Sequence, residues 1–351
     1  MAITKLNIQD FLQFAQKQII VDVRSPGEYE HAHIPGAISL PLFTNEERKI
    51  VGTAYKQESR EKAIKIGLDY FGTKTVKIIE EVEKIIAEKK TSKEIGVHCW
   101  RGGMRSAAIA WLLDLYGFKV YMLTGGYKAY RNWAIQQFDK KYELRIVGGY
   151  TGSNKTGVIN QLKSSREKII DLEGLALHKG SAFGNLDLHA QPSQEMFENL
   201  LAKELNEHDT NKACKIIWIE DESQRIGNIN VPLAFYKNMR AGNVLFLNIP
   251  FEERLQHIIL DYGKYSKEKI INAIVRIKKK LGGLETKNAI NFILEDDLKN
   301  CFAILLKYYD KLYLKSTYNR EDADKKIIMI ELNSVDQKIN SEKIIQHVYN
   351  R

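Results

Sequence analysis

Cys99 opens the run Cys99-Trp100-Arg101-Gly102-Gly103-Met104-Arg105-Ser106 and closes a strand-like stretch, IGVHC. A cysteine at a strand-to-helix turn sits where successive backbone N–H groups converge. Those dipoles stabilise a thiolate or a bound oxyanion and lower the thiol pKa. Gly102 and Gly103 permit the tight curl, and Arg105 can pair with an anion held in the cradle. Cys214 and Cys301 lack such a setting and read as buried, inert thiols. A second locus is Gly148-Gly149-Tyr150-Thr151-Gly152-Ser153-Asn154-Lys155-Thr156, between a strand-like run and a helical one. That context marks a P-loop: the amides from Gly149 and Gly152 to Thr156, Ser153 included, would cradle a diphosphate. Lys155 would neutralise the outer phosphate, and Thr156 would hold Mg²⁺. Asn154 stands where the usual pattern has its second glycine. Asparagine tolerates left-handed backbone, so the loop can form, but the change counts against tight ATP binding.

Glu220, Asp221 and Glu222 follow the apolar run IIWIE, where an acid can reach the metal of a P-loop; Asp221 is the expected Mg²⁺ partner of Thr156. Three adjacent acids fit a solvated turn as well. Arg225 is spaced to meet an anion. The segments HKGSAFG, with Ser181, Phe183 and Gly184, and QPSQ read as loops lining the same pocket. His178 and His189 lack metal-ligand spacing and suit ordinary polar roles. Gly263 to Lys280 carries seven Lys or Arg and one acid, with Tyr265 and the apolar stripe INAIVRI among them. Lys278, Lys279 and Lys280 are candidate RNA-phosphate contacts, and a solvated helix face is the equal alternative.

These loops need rigid elements behind them. The runs QIIVDVRS, GAISLPL, EIGVHCW and FKVYMLTGG read as strands; KTVKIIEEVEKIIAEKK and SAAIAWLLDLYG read as helices by their apolar spacing. The charged stretch Asp139 to Glu143 marks a boundary, giving domains 1–140 and 141–351. Beyond it LRIVGG, KIIDLE, KIIWIE, NVLFLNI and KIIMIEL alternate with helical segments. Such alternation predicts an α/β fold with mostly parallel sheets and crossover helices, the second domain a P-loop kinase-like one with a basic helical lid.

The first domain, with VDVRSPGEYEHAHIPGAISLP ahead of CWRGGMRS, resembles a rhodanese domain. That resemblance implies a cysteine that carries a chalcogen atom, and it puts Asp22 and Arg24 in the pocket wall, in a structural or a catalytic role. The spacing from Cys99 to Arg105, Cys-x5-Arg, exceeds the Cys-x4-Arg of sulfurtransferase rhodaneses and matches rhodanese-fold phosphatases, so a phosphate-bearing partner suits the wider cradle. Taken in order, NEERKIVGTAYKQ, HCWRGGMRS, GGYTGSNKT, HKGSAFG, QPSQEMFE and EDESQRIG resemble the bacterial tRNA 2-selenouridine synthase family along essentially the whole chain. The resemblance implies S-geranylation of wobble 2-thiouridine in tRNAs for Lys, Glu and Gln with geranyl diphosphate. Selenium from selenophosphate then replaces the geranylthio group. It implies diphosphate at the P-loop with Mg²⁺, selenium carried on Cys99 as a selenyl-sulfide, and a selenophosphate-producing enzyme as a further partner.

Composition is compatible with this. The net charge of +9 suits a polyanionic partner, although lysine-rich composition alone can do the same. No apolar run approaches the roughly 20 residues of a membrane span, and MAITKLNIQDFLQF lacks the layout of a signal peptide, so a cytoplasmic protein is expected. Three rival readings stay open: an ATP-dependent tRNA sulfurtransferase, a rhodanese-fold phosphatase joined to a small-molecule kinase, and an RNA-binding module with a redox-sensing cysteine.

Overall fold

The computed structural model describes residues 3–178, 190–210 and 216–349. The chain divides into two compact units, Met1–Gln137 with Glu198–Lys203, and Phe138–Phe197 with Glu204–Arg351.

The first unit is built on five parallel strands, β1 (Thr4–Leu6), β2 (Ile19–Asp22), β3 (Ile38–Ser39), β4 (Glu94–His98) and β5 (Lys119–Leu123), in the order β1-β5-β4-β2-β3. β2 and β4 lie inside the sheet and are apolar almost without alternation, as strands covered on both faces must be. Gly96 in β4 is required by packing: a Cβ there would stand 2.7 Å from Ile20 Cγ2. The helix Met104–Tyr116 packs Ile109, Ala110, Leu112 and Leu113 inward and stops at Gly117, whose φ of 103° few other residues adopt. The expected helix over KTVKIIEEVEKIIAEKK is Thr75–Lys89. Two further helices, Asn45–Gln57 and Arg60–Gly72, pack against each other. Thr44 and Glu47 form a capping box on the first, and Ser59 caps the second.

The second unit has its own parallel sheet. Its strands are β6 (Glu143–Gly149), β7 (Ile169–Ile170), β8 (Ile216–Glu220), β11 (Asn243–Asn248) and β12 (Ile327–Glu331), in the order β12-β11-β6-β8-β7. Between them β9 (Arg225–Ile226) and β10 (Ile229–Asn230) form a small antiparallel pair. The helices Phe251–Tyr262, Lys267–Leu281, Gly283–Leu294 and Leu298–Tyr318 bury a separate apolar cluster around Leu255, Ile274, Ile293 and Phe302. Among the described residues no helix is long and apolar enough to cross a membrane.

Candidate active site

β4 delivers Cys99 directly onto the N-terminus of the helix Met104–Tyr116. The loop between them is clamped from behind by β5 and its glycine pair. Tyr127 N–H donates to the Cys99 carbonyl at 2.8 Å and Lys128 N–H to the Trp100 carbonyl at 2.9 Å. Gly126 has φ 59°, and a Cβ there would meet the Cys99 carbonyl at 2.4 Å; Gly102 has φ 66°, and a Cβ on it would meet the Leu123 carbonyl at 2.7 Å. Only glycine fits that contact from either side. Gly103 takes the cap position of the helix.

Cys99 Sγ is buried and lies 3.3 Å from Ser106 Oγ, whose one proton can go to the sulfur or to the Gly103 carbonyl at 3.0 Å. Burial pushes the thiol pKa up, but bonds from the Ser106 hydroxyl and N–H, the Arg105 charge and the Arg101 N–H outweigh it and bring it below the ordinary 9.0. Cys301, also buried, has no such donors; burial and then Asp297 push its thiol up to about 12. Two buried thiols thus differ by what surrounds the sulfur, and Cys99 is the more readily ionised of the pair.

Arg105 is held beside the loop by Glu28, at 2.7 Å. Glu28 is the N3 residue of the capping box on the helix Pro26–His31, and Arg48 approaches it at 3.3 Å. Burial raises the Glu28 carboxyl, yet the Arg105 bond and charge, the Ser25 N–H and Arg48 together lower it to about 2. Glu28 therefore remains an anion at any working pH and fixes Arg105 at the mouth of the loop.

Asp22 and Arg24 form a buried pair, Arg24 Nε donating to both Asp22 oxygens at 3.0 and 2.9 Å. The Arg24 guanidinium also donates to the Ala32 carbonyl and lies 3.9 Å from the centre of the Tyr127 ring, with Trp100 at 5.9 Å. All its reach is spent inside the protein. The pair supports the loop through Tyr127 and Trp100 and is not poised to touch a substrate. His98 is likewise buried; desolvation holds it down to about 4, so it stays neutral at working pH.

In the second unit β6 ends on Gly149 and the helix Lys155–Ser164 begins after Asn154. Gly152 has φ 83°, and Asn154 adopts the left-handed conformation, φ 55° and ψ 46°, while its side chain accepts the Gly157 N–H at 3.1 Å. One residue thus meets the backbone demand usually left to glycine and caps the helix as well. Lys155 Nζ donates to the Gly149 carbonyl at 3.2 Å and lies 5.0 Å from the Tyr313 ring centre. Arg254 braces the loop from outside it, donating to the Thr151 and Ile249 carbonyls and to both oxygens of Asp310. Ser153 is fully buried beneath the loop.

The acids after β8 separate into two roles. Thr156 Oγ1 donates to Glu173 at 2.9 Å, and the buried Glu220 receives the Glu173 N–H at 3.4 Å. Burial, then Glu173, Asp171 and Glu222, push the Glu220 carboxyl well up, against a Thr156 hydrogen bond that lowers it. Glu222 is raised to about 8, by burial and then Glu173, with Lys155 opposing. Asp221, the expected Mg²⁺ partner, is instead taken up by Arg320 at 2.7 and 2.9 Å and by the Tyr313 hydroxyl at 3.2 Å. Tyr313 Oη in turn accepts the Gly149 N–H at 3.2 Å. Asp221 braces the loop through Tyr313, and the acids that face Thr156 are Glu173 and Glu220. Among the described residues no three His, Cys, Asp or Glu side chains already stand as a metal cage. A hard cation still fits here: Glu220 Oε1 is buried without a hydrogen-bond partner, and the repulsion among these carboxyls is what a divalent ion relieves.

The remaining candidates scatter. Arg225 is exposed on the β9–β10 hairpin, where its Nε donates to the Gly227 carbonyl. Gln191 and Gln194 hold that hairpin by hydrogen bonds to Ile226, Asn228 and Asn230. Ser181, Phe183 and Gly184, with His189 and Cys214, lie outside the described residues. Lys278, Lys279 and Lys280 form the exposed last turn of the helix Lys267–Leu281, where cations also suit the helix dipole. Sequence reasoning missed Glu28, Gly126, Tyr313, Arg254 and Arg320, all of which act through partners far away in the chain.

With this geometry in view, residues 8–132 match the model of the rhodanese-like domain, and residues 142–342 match that of the tRNA 2-selenouridine synthase AAA domain. The chain is 40% identical over 253 residues to a tRNA 2-selenouridine synthase of Shewanella denitrificans, covering 71% of this chain and 66% of that relative, just under two thirds. It is 32% identical over 346 residues to one of Shewanella halifaxensis, covering 89% and 93%. It is 30% identical over 352 residues to one of Nitrosomonas eutropha, covering 86% and 89%.

Proposed function

The chain belongs to the tRNA 2-selenouridine synthase family, and from that premise we propose that it converts wobble 2-thiouridine of tRNAs for Lys, Glu and Gln to 2-selenouridine by way of an S-geranyl intermediate. The observation that carries the reading is the Cys99 sulfur, held below its ordinary pKa by the Ser106, Arg105 and Arg101 groups of its loop, in a chain that also has a capped P-loop.

In the first step the thiocarbonyl sulfur attacks C1 of geranyl diphosphate, the C–O bond breaks, and pyrophosphate leaves with the electron pair. Lys155 and the amides from Gly152 to Thr156 are the groups that would meet that growing charge. Thr156, Glu173 and Glu220 would hold Mg²⁺, which supplies further charge stabilisation when bound. S-alkylation matters because it turns the sulfur at C2 into a thiolate leaving group.

The second step replaces that group. Selenium in selenophosphate is already at the selenide level, so storing it on Cys99 as a selenyl-sulfide would require two electrons to be removed. A route without an oxidant has selenium attack C2 while geranylthiolate departs. The Cys99 thiolate then attacks phosphorus, the P–Se bond breaks toward 2-selenouridine, and water releases phosphate from the cysteine. The wide loop and Arg105 suit a phosphoryl group in this role.

The test is to incubate the protein with 2-thiouridine tRNA, geranyl diphosphate and selenophosphate and to analyse nucleosides by mass. S-geranyl-2-thiouridine is expected with the first co-substrate alone and 2-selenouridine with both. Neither product would overturn the assignment. For tRNA binding, changing Lys278, Lys279 and Lys280 to Glu should weaken binding about 10–100-fold and flatten the logarithmic salt dependence by roughly two to three units. Binding and salt slope equal to those of the unaltered protein would show that this helix face is merely solvated.

A further inference from the structure

A pocket of about 660 Å³ opens beside Cys99, within the first unit. Its floor is the loop itself, and its walls come from the paired helices Asn45–Gln57 and Arg60–Gly72. The walls are apolar: Val51, Tyr55, Ile64, Leu68, Phe71 and Ala108. The volume lies in the ordinary range for small-molecule sites, roughly 300–1,000 Å³. Tyr55 and Leu68 are left 55% and 58% exposed, which is apolar surface that no element of the unit covers.

A phosphate or selenophosphate ion does not explain such a cavity, because the loop amides and Arg105 already suffice for it and hydrocarbon walls offer an anion nothing. The occupant has to be apolar, and its reacting atom has to stand at the Cys99 loop, where selenophosphate would be held, since Cys99 and its loop residues line the cavity. Arg48, Lys49, Lys56 and Arg101 also stand among the lining residues, cations that suit an occupant attached to nucleotide phosphates.

We propose that this pocket is the subsite for the geranyl chain of the S-geranylated uridine, holding the hydrocarbon against Leu68, Phe71 and Val51 while C2 is presented at the Cys99 loop. The inference rests on the function proposed above and deepens it by assigning the alkyl group a place. In the displacement the C2–Se bond forms, the C2–S bond breaks, and geranylthiolate leaves with the electron pair, picks up a proton and departs from the pocket. The hydrocarbon thereby acts as a handle as well as a leaving group. A uridine carrying a short S-alkyl group reacts with the same atoms but lacks the handle.

Selenation is measured by nucleoside mass analysis on two RNAs, one with S-geranyl-2-thiouridine and one with S-methyl-2-thiouridine, each supplied with selenophosphate. The unaltered protein should prefer the geranyl substrate in kcat/KM by on the order of 10-fold or more, mostly through KM. Leu68→Gln and the pair Tyr55→Gln with Leu68→Gln, both at exposed positions, should bring the geranyl-to-methyl ratio close to one, with circular dichroism unchanged. A geranyl preference that survives in folded variants would overturn the pocket and leave the proposed function standing. Equal use of both substrates by the unaltered protein would do the same. Failure of the unaltered protein to selenate either RNA would overturn the function and, with it, this inference.

Discussion

Cys99→Ala is expected to lower the formation of 2-selenouridine by on the order of 10³-fold or more, while S-geranyl-2-thiouridine still forms and the Se-phosphorylated uridine, whose P–Se bond Cys99 would break, accumulates. The expectation follows from where the cysteine lies. Its sulfur is buried against Ser106, Arg101 and Arg105, and nothing in the P-loop chemistry requires it. Because those donors bring the thiol below 9.0, selenation should retain its rate to more acidic pH than an ordinary cysteine would permit. Ser106→Ala removes the largest opposing donor, so the thiol should rise and the pH profile of selenation should move toward alkali, with geranylation unmoved. A Cys99→Ala protein that fails at both steps would end the division of labour. With selenophosphate and geranylated RNA, mass analysis of the trapped protein should find a phosphoryl group on Cys99. An adduct with the isotope pattern of selenium would show instead that the cysteine stores the chalcogen.

Both reactive loops were legible in the sequence because each is local. Strand, glycine turn and helix follow one another within about a dozen residues, so spacing alone puts Cys99 and Lys155 at helix N-termini. The strands were legible for a related reason, since fully buried parallel strands read as unbroken apolar runs. What the sequence hides is whatever crosses the chain. Glu28 meets Arg105 across 77 positions, and Tyr313 meets Asp221 across 92. Neither pairing leaves a mark in local spacing.

The three acids after β8 show the limit most sharply. Which of Glu220, Asp221 and Glu222 faces the P-loop depends on the pairing of β8 with β6, where Val147 stands opposite Glu220. Adjacent residues on extended backbone point to opposite sides, so a shift of one reverses the answer. The register places Glu220 with Thr156 and leaves Asp221 to Arg320 and Tyr313. The pocket beside Cys99 was hidden in another way. The segment NEERKIVGTAYKQ forms the helix Asn45–Gln57, and its apolar residues find a use only once the helix Arg60–Gly72 and the cysteine loop stand around them.

Lys155→Ala is expected to cut kcat/KM for geranyl diphosphate by about 10²–10³-fold, the usual loss when one preorganised charge is removed from a leaving group. Lys155 is already laid back over its loop, with Nζ at the Gly149 carbonyl and against the Tyr313 ring. Its charge is therefore in place before substrate arrives, and little reorganisation accompanies the reaction. Alanine keeps the helix start, because the cap belongs to Asn154 and not to the lysine. The loss should thus be one of chemistry with folding intact. Lys155→Arg retains the charge but spreads it over a planar group too wide for the same position, so it should recover only part of the activity. Selenation of RNA supplied already geranylated should stay within about threefold of the unaltered protein, because no diphosphate takes part in it. If Lys155→Ala geranylates normally and instead loses selenation, the P-loop does not hold the prenyl donor, and the two steps have been assigned to the wrong loops.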